Sequence, residues 1–137
     1  MSGKNASHTD EFITMVADHM DNGFLENIID MFKHDAEAYE LLPFLLKDDR
    51  LRVRLGAAAL LESLKVEDGD NVHRAVPHLL ELAGSSDPTA RGDAAYMLGI
   101  VAGREHTACL EAMLEDPSEH VRAIAQESLL DIREREG

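Results

Sequence analysis

The sequence predicts an all-α fold built from successive pairs of helices, and three observations support this. Leu and Ala dominate the apolar residues, aromatic residues make up only 4% and Trp is absent, a composition that favours helices over strands. The chain from about residue 39 onward repeats one pattern three times. Within each repeat the apolar positions have the spacing of an amphipathic helix, as at Val53, Ala57, Leu61 and Leu64.

An arginine marks the same place in each repeat, at Arg54, Arg91 and Arg122. Arg91 follows Arg54 by 37 positions, and Arg122 follows Arg91 by 31. Repeats of this length and variable spacing are typical of stacked helical hairpins. We therefore expect three hairpins whose second helices begin near these arginines. Three positions later each repeat has an alanine, and seven positions later a leucine: Ala57, Ala94, Ala125, Leu61, Leu98 and Leu129.

A shorter apolar segment precedes each second helix: YELLPFLLK, VHRAVPHLLELA and HTACLEAMLE. Pro43 and Pro77 fall inside two of these segments, and a bend is expected at each because a proline within a helix removes a hydrogen bond. Asp87 followed by Pro88 predicts a helix start. Residues 65–71 are expected to be a solvated loop in which Asp70 or Asn71 caps the next helix.

Residues 10–34 do not follow the repeat and predict a helical hairpin with its turn at Asn22 and Gly23. An atypical hairpin is expected at the end of a repeat array. We divide the chain into a flexible N-terminus (1–9), this capping hairpin (10–34) and a repeat solenoid (35–137). The apolar residues of the hairpin form either a cap core or a face for a dimer or partner; they are Phe12, Met15, Phe24, Ile28, Met31 and Phe32.

Composition argues against several ligand classes. The chain has 13 basic and 27 acidic residues, and this net charge of −14 disfavours nucleic acid and anionic membranes as partners. Cys109 is the only cysteine, so no intrachain disulfide can form, and we expect a buried, inert thiol. No apolar segment of membrane-spanning length and no signal-peptide pattern is found, which makes the cytoplasm the expected location.

No catalytic or metal-binding pattern stands out. The sequence has neither a glycine-rich phosphate loop nor a serine–glycine nucleophile turn. His73 and His78 are five positions apart and cannot share a helix face as ligands four apart would. The acidic run from Glu67 to Asn71 lacks the spacing of a calcium loop. We predict a protein that is not an enzyme and that uses no cofactor and no metal.

Two segments, EDPSEHVRAIAQESL and SSDPTARGDAAYMLG, resemble the HEAT family, in particular the short HEAT-like repeats associated with phycobilisome lyase subunits. The resemblance covers about residues 39–133 and implies a right-handed α-α superhelix. Deoxyhypusine hydroxylase, an enzyme group of this family, binds iron through His-Glu pairs. The same position here reads Gly92-Asp93, so the iron ligands are missing and that activity is not expected. The resemblance further implies a ladder between turn aspartates and helix arginines, namely Asp48 and Asp116 with Arg54, Arg91 and Arg122. In the middle repeat Ser85 stands at the position of the turn aspartate.

The second helices of such a solenoid line its concave side, which predicts a partner-binding groove. Tyr96, one turn beyond Gly92, would stand beside a shallow notch as an anchor, or would pack between helices instead. The predicted partner-binding residues are Leu55, Ala59, Gly92, Asp93, Tyr96, Ile100, Ile124 and Glu127. Others on the same side are Gly56, Glu62, Ser63, Ala123 and Asp131.

The predicted function is a protein-binding scaffold or assembly adaptor. Its acidic groove would hold a partner helix or an extended peptide that is basic or neutral. Two alternatives remain. One is a subunit of a bilin lyase or related chromophore-handling complex, which only the resemblance suggests. The other is a homo-oligomer, such as a homodimer, formed through the N-terminal hairpin.

Overall fold

The computed structural model describes residues 10–136, and it confirms the predicted all-α class because no strand occurs in that range. The predicted flexible segment 1–9 lies outside the described residues. Within this range no helix combines the length and the apolarity that a bilayer crossing requires. The α-helices of residues 10–136 are α1 (Asp10–Asp21), α2 (Leu25–His34), α3 (Leu42–Leu46), α4 (Leu51–Glu67), α5 (Val76–Ala83), α6 (Pro88–Val101), α7 (Thr107–Met113) and α8 (Glu119–Glu136).

The described residues form two compact units, which are divided between Glu67 and Asp68. The first contains α1 to α4, and the second contains α5 to α8. The boundary falls in the segment that was expected to be a loop, residues 65–71. The helix α4 continues to Glu67, however, so only the last part of that segment is a turn. Asn71 directly precedes the next helical segment, but its side chain makes no capping hydrogen bond to that segment, so the predicted cap at Asn71 is wrong. The Asn71 Nδ2 group donates to Asp68 Oδ1 at 3.2 Å instead.

Each short first helix begins with a 3₁₀ turn, at Ala36–Leu41, Val72–Ala75 and Arg104–His106. Pro43 and Pro77 lie in the first α-helical turn that follows, in α3 and α5. A proline is tolerated there because the N–H groups of a first turn have no partner within the α-helix. The expectation of prolines in mid-helix is therefore wrong. The segment changes from 3₁₀ to α at the proline.

The first unit is organised around α4, against which α1, α2 and α3 pack. Gly56 allows α1 to come close, because a side chain at this position would overlap that of Met20. The rings of Phe32 and Tyr39 pack edge to face, with centroids 5.0 Å apart, and both residues are fully buried. Of the apolar residues of the terminal hairpin, Ile28 and Phe32 form core, Phe12 and Met31 are half-buried, and Met15 and Phe24 are exposed.

In the second unit α6 packs against both α5 and α8, and α7 packs against α8. The alanine and leucine positions of the repeat lie in the core as predicted, since Ala94, Leu98, Ala125 and Leu129 are all buried. The helices α6 and α8 approach closely at Gly99, where an added Cβ would overlap the side chain of Ser128.

Two α8 side chains reach the backbone of α6 and its C-terminal end. Ser128 Oγ donates to Ala95 O at 2.8 Å, within the buried interface. Arg135 donates to Gly99 O at 3.0 Å and to Ala102 O at 2.9 Å. These bonds fix α8 along α6, so that the residues on one side of the pair are held together.

Two glycine substitutions on α6 test this close approach. Gly99→Ala forces Ser128 to move, whereas a Cβ at Gly92 would meet only the movable ends of His120 and Ile124 at 3.4 Å. We expect the Gly99 variant to be less stable than the Gly92 variant by about 1–3 kcal/mol, the usual range for overpacking. Urea unfolding of both variants measures the difference. Equal stability would show that α6 and α8 are not in tight contact at Gly99.

Candidate partner-binding face

The repeat arginine makes the same hydrogen bonds in all three repeats of this chain. Its Nη1 donates to the backbone carbonyls five and six positions earlier, which belong to the turn before the second helix. Such carbonyls need hydrogen-bond partners where water is limited. The bonds run from Arg54 to Asp48 O at 2.7 Å and Asp49 O at 3.1 Å, from Arg91 to Ser85 O and Ser86 O at 3.1 Å each, and from Arg122 to Asp116 O at 2.7 Å and Pro117 O at 3.3 Å.

The first residue of this turn also has a repeated role. Its side-chain oxygen accepts a hydrogen bond from the backbone N–H two positions later. The acceptors are Asp48 (from Arg50 N, 2.9 Å), Ser85 (from Asp87 N, 3.1 Å) and Asp116 (from Ser118 N, 2.9 Å). Each turn is therefore closed by its own side chain and is then fastened to the helix by the arginine.

Arg91 also connects two successive repeats. Its Nε and Nη2 donate to the two carboxylate oxygens of Asp116, at 2.8 Å and 3.0 Å. This bidentate pair lowers the pKa of Asp116, with a further contribution from the Ser118 N–H group. The ladder that the resemblance implied is thus formed between Arg91 and Asp116.

The turn aspartate of the first repeat is used differently. The Asp48 carboxylate accepts side-chain hydrogen bonds from Arg50, at 3.0 Å and 3.2 Å, and these lower its pKa. Arg50 also donates to Asp18 Oδ1 of α1 at 2.9 Å, which connects the terminal hairpin to the first repeat.

Six of the residues on the predicted concave side of the second unit share one side of the α6–α8 pair. On each helix they follow the spacing of three and then four positions that keeps residues on one face. Tyr96 is 48% exposed, so about half of its surface is accessible to a partner. We define the α6–α8 face by these residues: Asp93, Tyr96 and Ile100 on α6, and Ile124, Glu127 and Asp131 on α8.

Gly92 does not form the shallow notch that the sequence predicted. It is buried, and the His120 ring and the Ile124 side chain lie over it. The expected notch is absent because α8 brings these two side chains onto the glycine. His120, an exposed residue of α8, was not among the predicted residues. The only signal in the sequence was the repeat itself: His120 is 31 positions after Thr89, so it occupies the same place in its repeat, near the start of the second helix.

The other predicted residues lie in the first unit, on α4. Leu55 is 61% exposed and Ala59 is half-buried. Gly56 is covered by Met20 of α1, so it contributes little to an accessible surface. Glu62 is exposed and Ser63 is half-buried.

The α6–α8 face is acidic and offers no set of metal ligands. It carries three carboxylates, Asp93, Glu127 and Asp131, beside the imidazole of His120. Over residues 10–136 no three His, Cys, Asp or Glu side chains are placed to hold one metal ion. Cys109 is half-buried on α7, and burial raises the pKa of its thiol, which reduces its reactivity at neutral pH. The chemistry available on the face is hydrophobic contact, hydrogen bonding and attraction of positive charge.

Comparison with known proteins identifies the family of this chain. The family model described as HEAT repeats matches residues 38–130, which is more than half of the chain. No curated protein matches the sequence. The match does not distinguish the phycobilisome-lyase subtype, which stays a prediction.

The pKa shift of Asp116 predicts a pH-dependent effect of its removal. Its folded pKa is below the ordinary 3.8, so the pair with Arg91 stabilises the fold fully above that value and loses its effect as the pH falls below it. Asp116→Asn should therefore reduce stability in urea at pH 7, and the difference from wild type should shrink in acid.

Asp131→Asn, which changes an exposed aspartate of α8, the helix that follows Asp116, is the control and should give a small difference at both pH values. A loss for Asp116→Asn that is the same at pH 7 and pH 3 would mean that the carboxylate charge is not what stabilises the pair.

Proposed function

Because the chain belongs to the HEAT repeat family, we propose that it is a protein-binding scaffold or assembly adaptor that holds a partner on the α6–α8 face. HEAT repeats commonly serve as scaffolds for protein interactions. The family alone does not locate the binding site, since one fold hosts many functions. The location is inferred from the side chains.

The exposure of Tyr96 is the observation that carries the proposal. Tyrosine combines a large apolar ring with a hydroxyl group, and such residues are enriched in the centre of protein interfaces. On α6 it stands between Asp93 and Ile100, and on α8 the matching position is Glu127. A partner side chain can thus contact an aromatic ring and a carboxylate at the same place.

The charge of the face determines the kind of partner. Asp93, Glu127 and Asp131 would repel an acidic segment and attract a lysine or an arginine. We therefore propose a basic or neutral helix, or an extended peptide, as the segment that binds. Leu55 and Ala59 on α4 are proposed as additional partner contacts of the first unit.

A second candidate function is self-association through the N-terminal hairpin. Met15 and Phe24 are 46% and 52% exposed, and the ring centroid of Phe24 lies 5.5 Å from that of His19 on α1. Exposed apolar side chains within one hairpin favour an interface. The role in a bilin lyase complex stays a prediction that rests on the resemblance alone.

The double variant Tyr96→Ala, Glu127→Lys tests the scaffold proposal. Tyr96 is about half exposed and Glu127 is exposed, so we expect the free energy of unfolding to change by about 1 kcal/mol. Proteins recovered from a lysate of the native host on the immobilised wild-type chain should be lost with this variant.

The matched control is Leu80→Ala, Glu81→Lys, which makes the same kinds of change to exposed residues of α5. It should recover the same proteins as wild type. Recovery that is unchanged in the face variant, or reduced equally in the control, would refute the α6–α8 face as the binding site.

The self-association candidate has a separate test. If the hairpin forms a dimer, light scattering of the wild-type chain should give twice the 15.1 kDa mass of the monomer. The variant Met15→Lys, Phe24→Ser should then give the monomer mass. A wild-type chain that is monomeric over the whole accessible concentration range would rule out this function.

A further inference from the structure

The buried hydrogen bond from Ser128 Oγ to Ala95 O, 2.8 Å long, determines which side chains of α6 and α8 lie beside each other. The two helices run in the same direction, because Arg135, one helical step further along α8, donates to Ala102 O at the end of α6. Each residue of an α-helix is rotated by about 100° from the one before it. In two parallel helices that face each other, the residue after a contact on one helix and the residue before that contact on the other therefore turn to the same side.

Tyr96 and Glu127 are the two residues that this geometry brings to one side. Tyr96 directly follows Ala95 on α6, and Glu127 directly precedes Ser128 on α8. Burial agrees with the placement, since Ala95 and Ser128 are buried whereas Tyr96 is 48% exposed and Glu127 is exposed. An aromatic ring of one helix thus stands beside a carboxylate of the other, on an accessible surface.

The Glu127 carboxylate is available to a partner. Within residues 10–136 no group donates a hydrogen bond to it and no cation pairs with it. The turn aspartate of the same repeat differs, because both carboxylate oxygens of Asp116 bind Arg91, at 2.8 Å and 3.0 Å. A cation that arrives at Glu127 therefore breaks no contact of the fold.

We propose that Tyr96 and Glu127 form an arginine subsite, at which the guanidinium group of a partner's arginine stacks on the ring and donates its N–H edge to the carboxylate. The inference rests on the proposed function, since it names the side chain by which a basic partner is recognised on the α6–α8 face. A guanidinium group is planar, so it can lie on an aromatic face while its edge forms two parallel hydrogen bonds to a carboxylate. The carboxylate beside the ring lets one arginine make both contacts.

The ring of Tyr96 is what makes the subsite selective. The carboxylates of Glu127 and Asp131 attract lysine as well as arginine, because both carry one positive charge. A lysine ammonium group is compact and strongly hydrated, and it has no plane that could stack on the ring. Arginine therefore gains a contact at Tyr96 that lysine gains only in part, and Tyr96 determines the preference between them.

Two small probes of equal charge test the preference, N-acetyl-arginine amide and N-acetyl-lysine amide. Each is titrated at constant ionic strength into the isotope-labelled full chain. The arginine probe should shift the backbone amide signals of Tyr96, Glu127 and Ser128 in a saturable way. The lysine probe should bind roughly two- to fivefold more weakly, which is the factor that an exposed contact between a cation and an aromatic ring supplies.

Variants of the full chain separate the ring from the carboxylate. Tyr96→Phe keeps the ring and should keep the preference for arginine, whereas Tyr96→Leu keeps apolar bulk without the ring and should bind both probes equally. Glu127→Gln should weaken the binding of both probes. The matched control is Glu81→Gln, at an exposed glutamate of α5, and it should change neither.

The subsite is refuted if the arginine probe gives no saturable shift at these amides, if both probes bind the wild-type chain equally, or if the Tyr96→Leu variant still prefers arginine. These results are distinct from a failure of the proposed function. A face that recovers partners from a lysate without preferring arginine refutes the subsite alone. Recovery that does not depend on Tyr96 and Glu127 refutes the proposed function, even where the arginine probe binds.

Discussion

The arginine at the start of each second helix is the contact on which the repeat structure depends. It joins the helix to the two carbonyls of the turn before it, in the same geometry at all three positions. The turn is thereby held at a fixed angle to the helix, whatever the length of the connection that precedes it. This explains how spacings of 37 and 31 residues produce the same local structure.

In the second unit the arginine also determines the position of the neighbouring repeat. Arg91 binds Asp116 with two hydrogen bonds at the N-terminal end of α8, while Arg135 binds the C-terminal end of α6 near the other end of that helix. Between these two points the helices approach at Gly99 and Ser128. With both ends fixed, the side chains of the α6–α8 face keep a constant spacing. A surface that is organised before binding loses less entropy when a partner arrives.

Much of this fold could be predicted from the sequence, because burial in a repeat follows from spacing. The alanines at 57, 94 and 125 and the leucines at 61, 98 and 129 are core residues, as their helical periodicity indicated. The pair of Arg91 and Asp116 followed from the family resemblance. The places of Asp93, Tyr96 and Glu127 on one side of the helix pair could also be predicted, since a residue's direction on a helix depends only on its number.

The remaining features depend on contacts that spacing does not specify. Gly92 is covered because α8 brings His120 and Ile124 to it, which depends on the distance between two helices. Asp48 binds Arg50, a residue two positions away, because Arg50 stands where the second repeat has its helix-capping Asp87. At Pro43 and Pro77 the chain changes from a 3₁₀ helix to an α-helix. Both types of helix accept proline in their first turn, so the proline alone does not show where one ends and the other begins.

The central claim is that Arg91 and Asp116 act together to hold successive repeats in place. A double-mutant cycle measures this directly, through the urea unfolding of Arg91→Gln, Asp116→Asn and the chain that carries both changes. If the pair acts as a unit, the double variant loses clearly less stability than the two single losses added together. Strict additivity would contradict the account, because it would mean that the two side chains stabilise the fold independently.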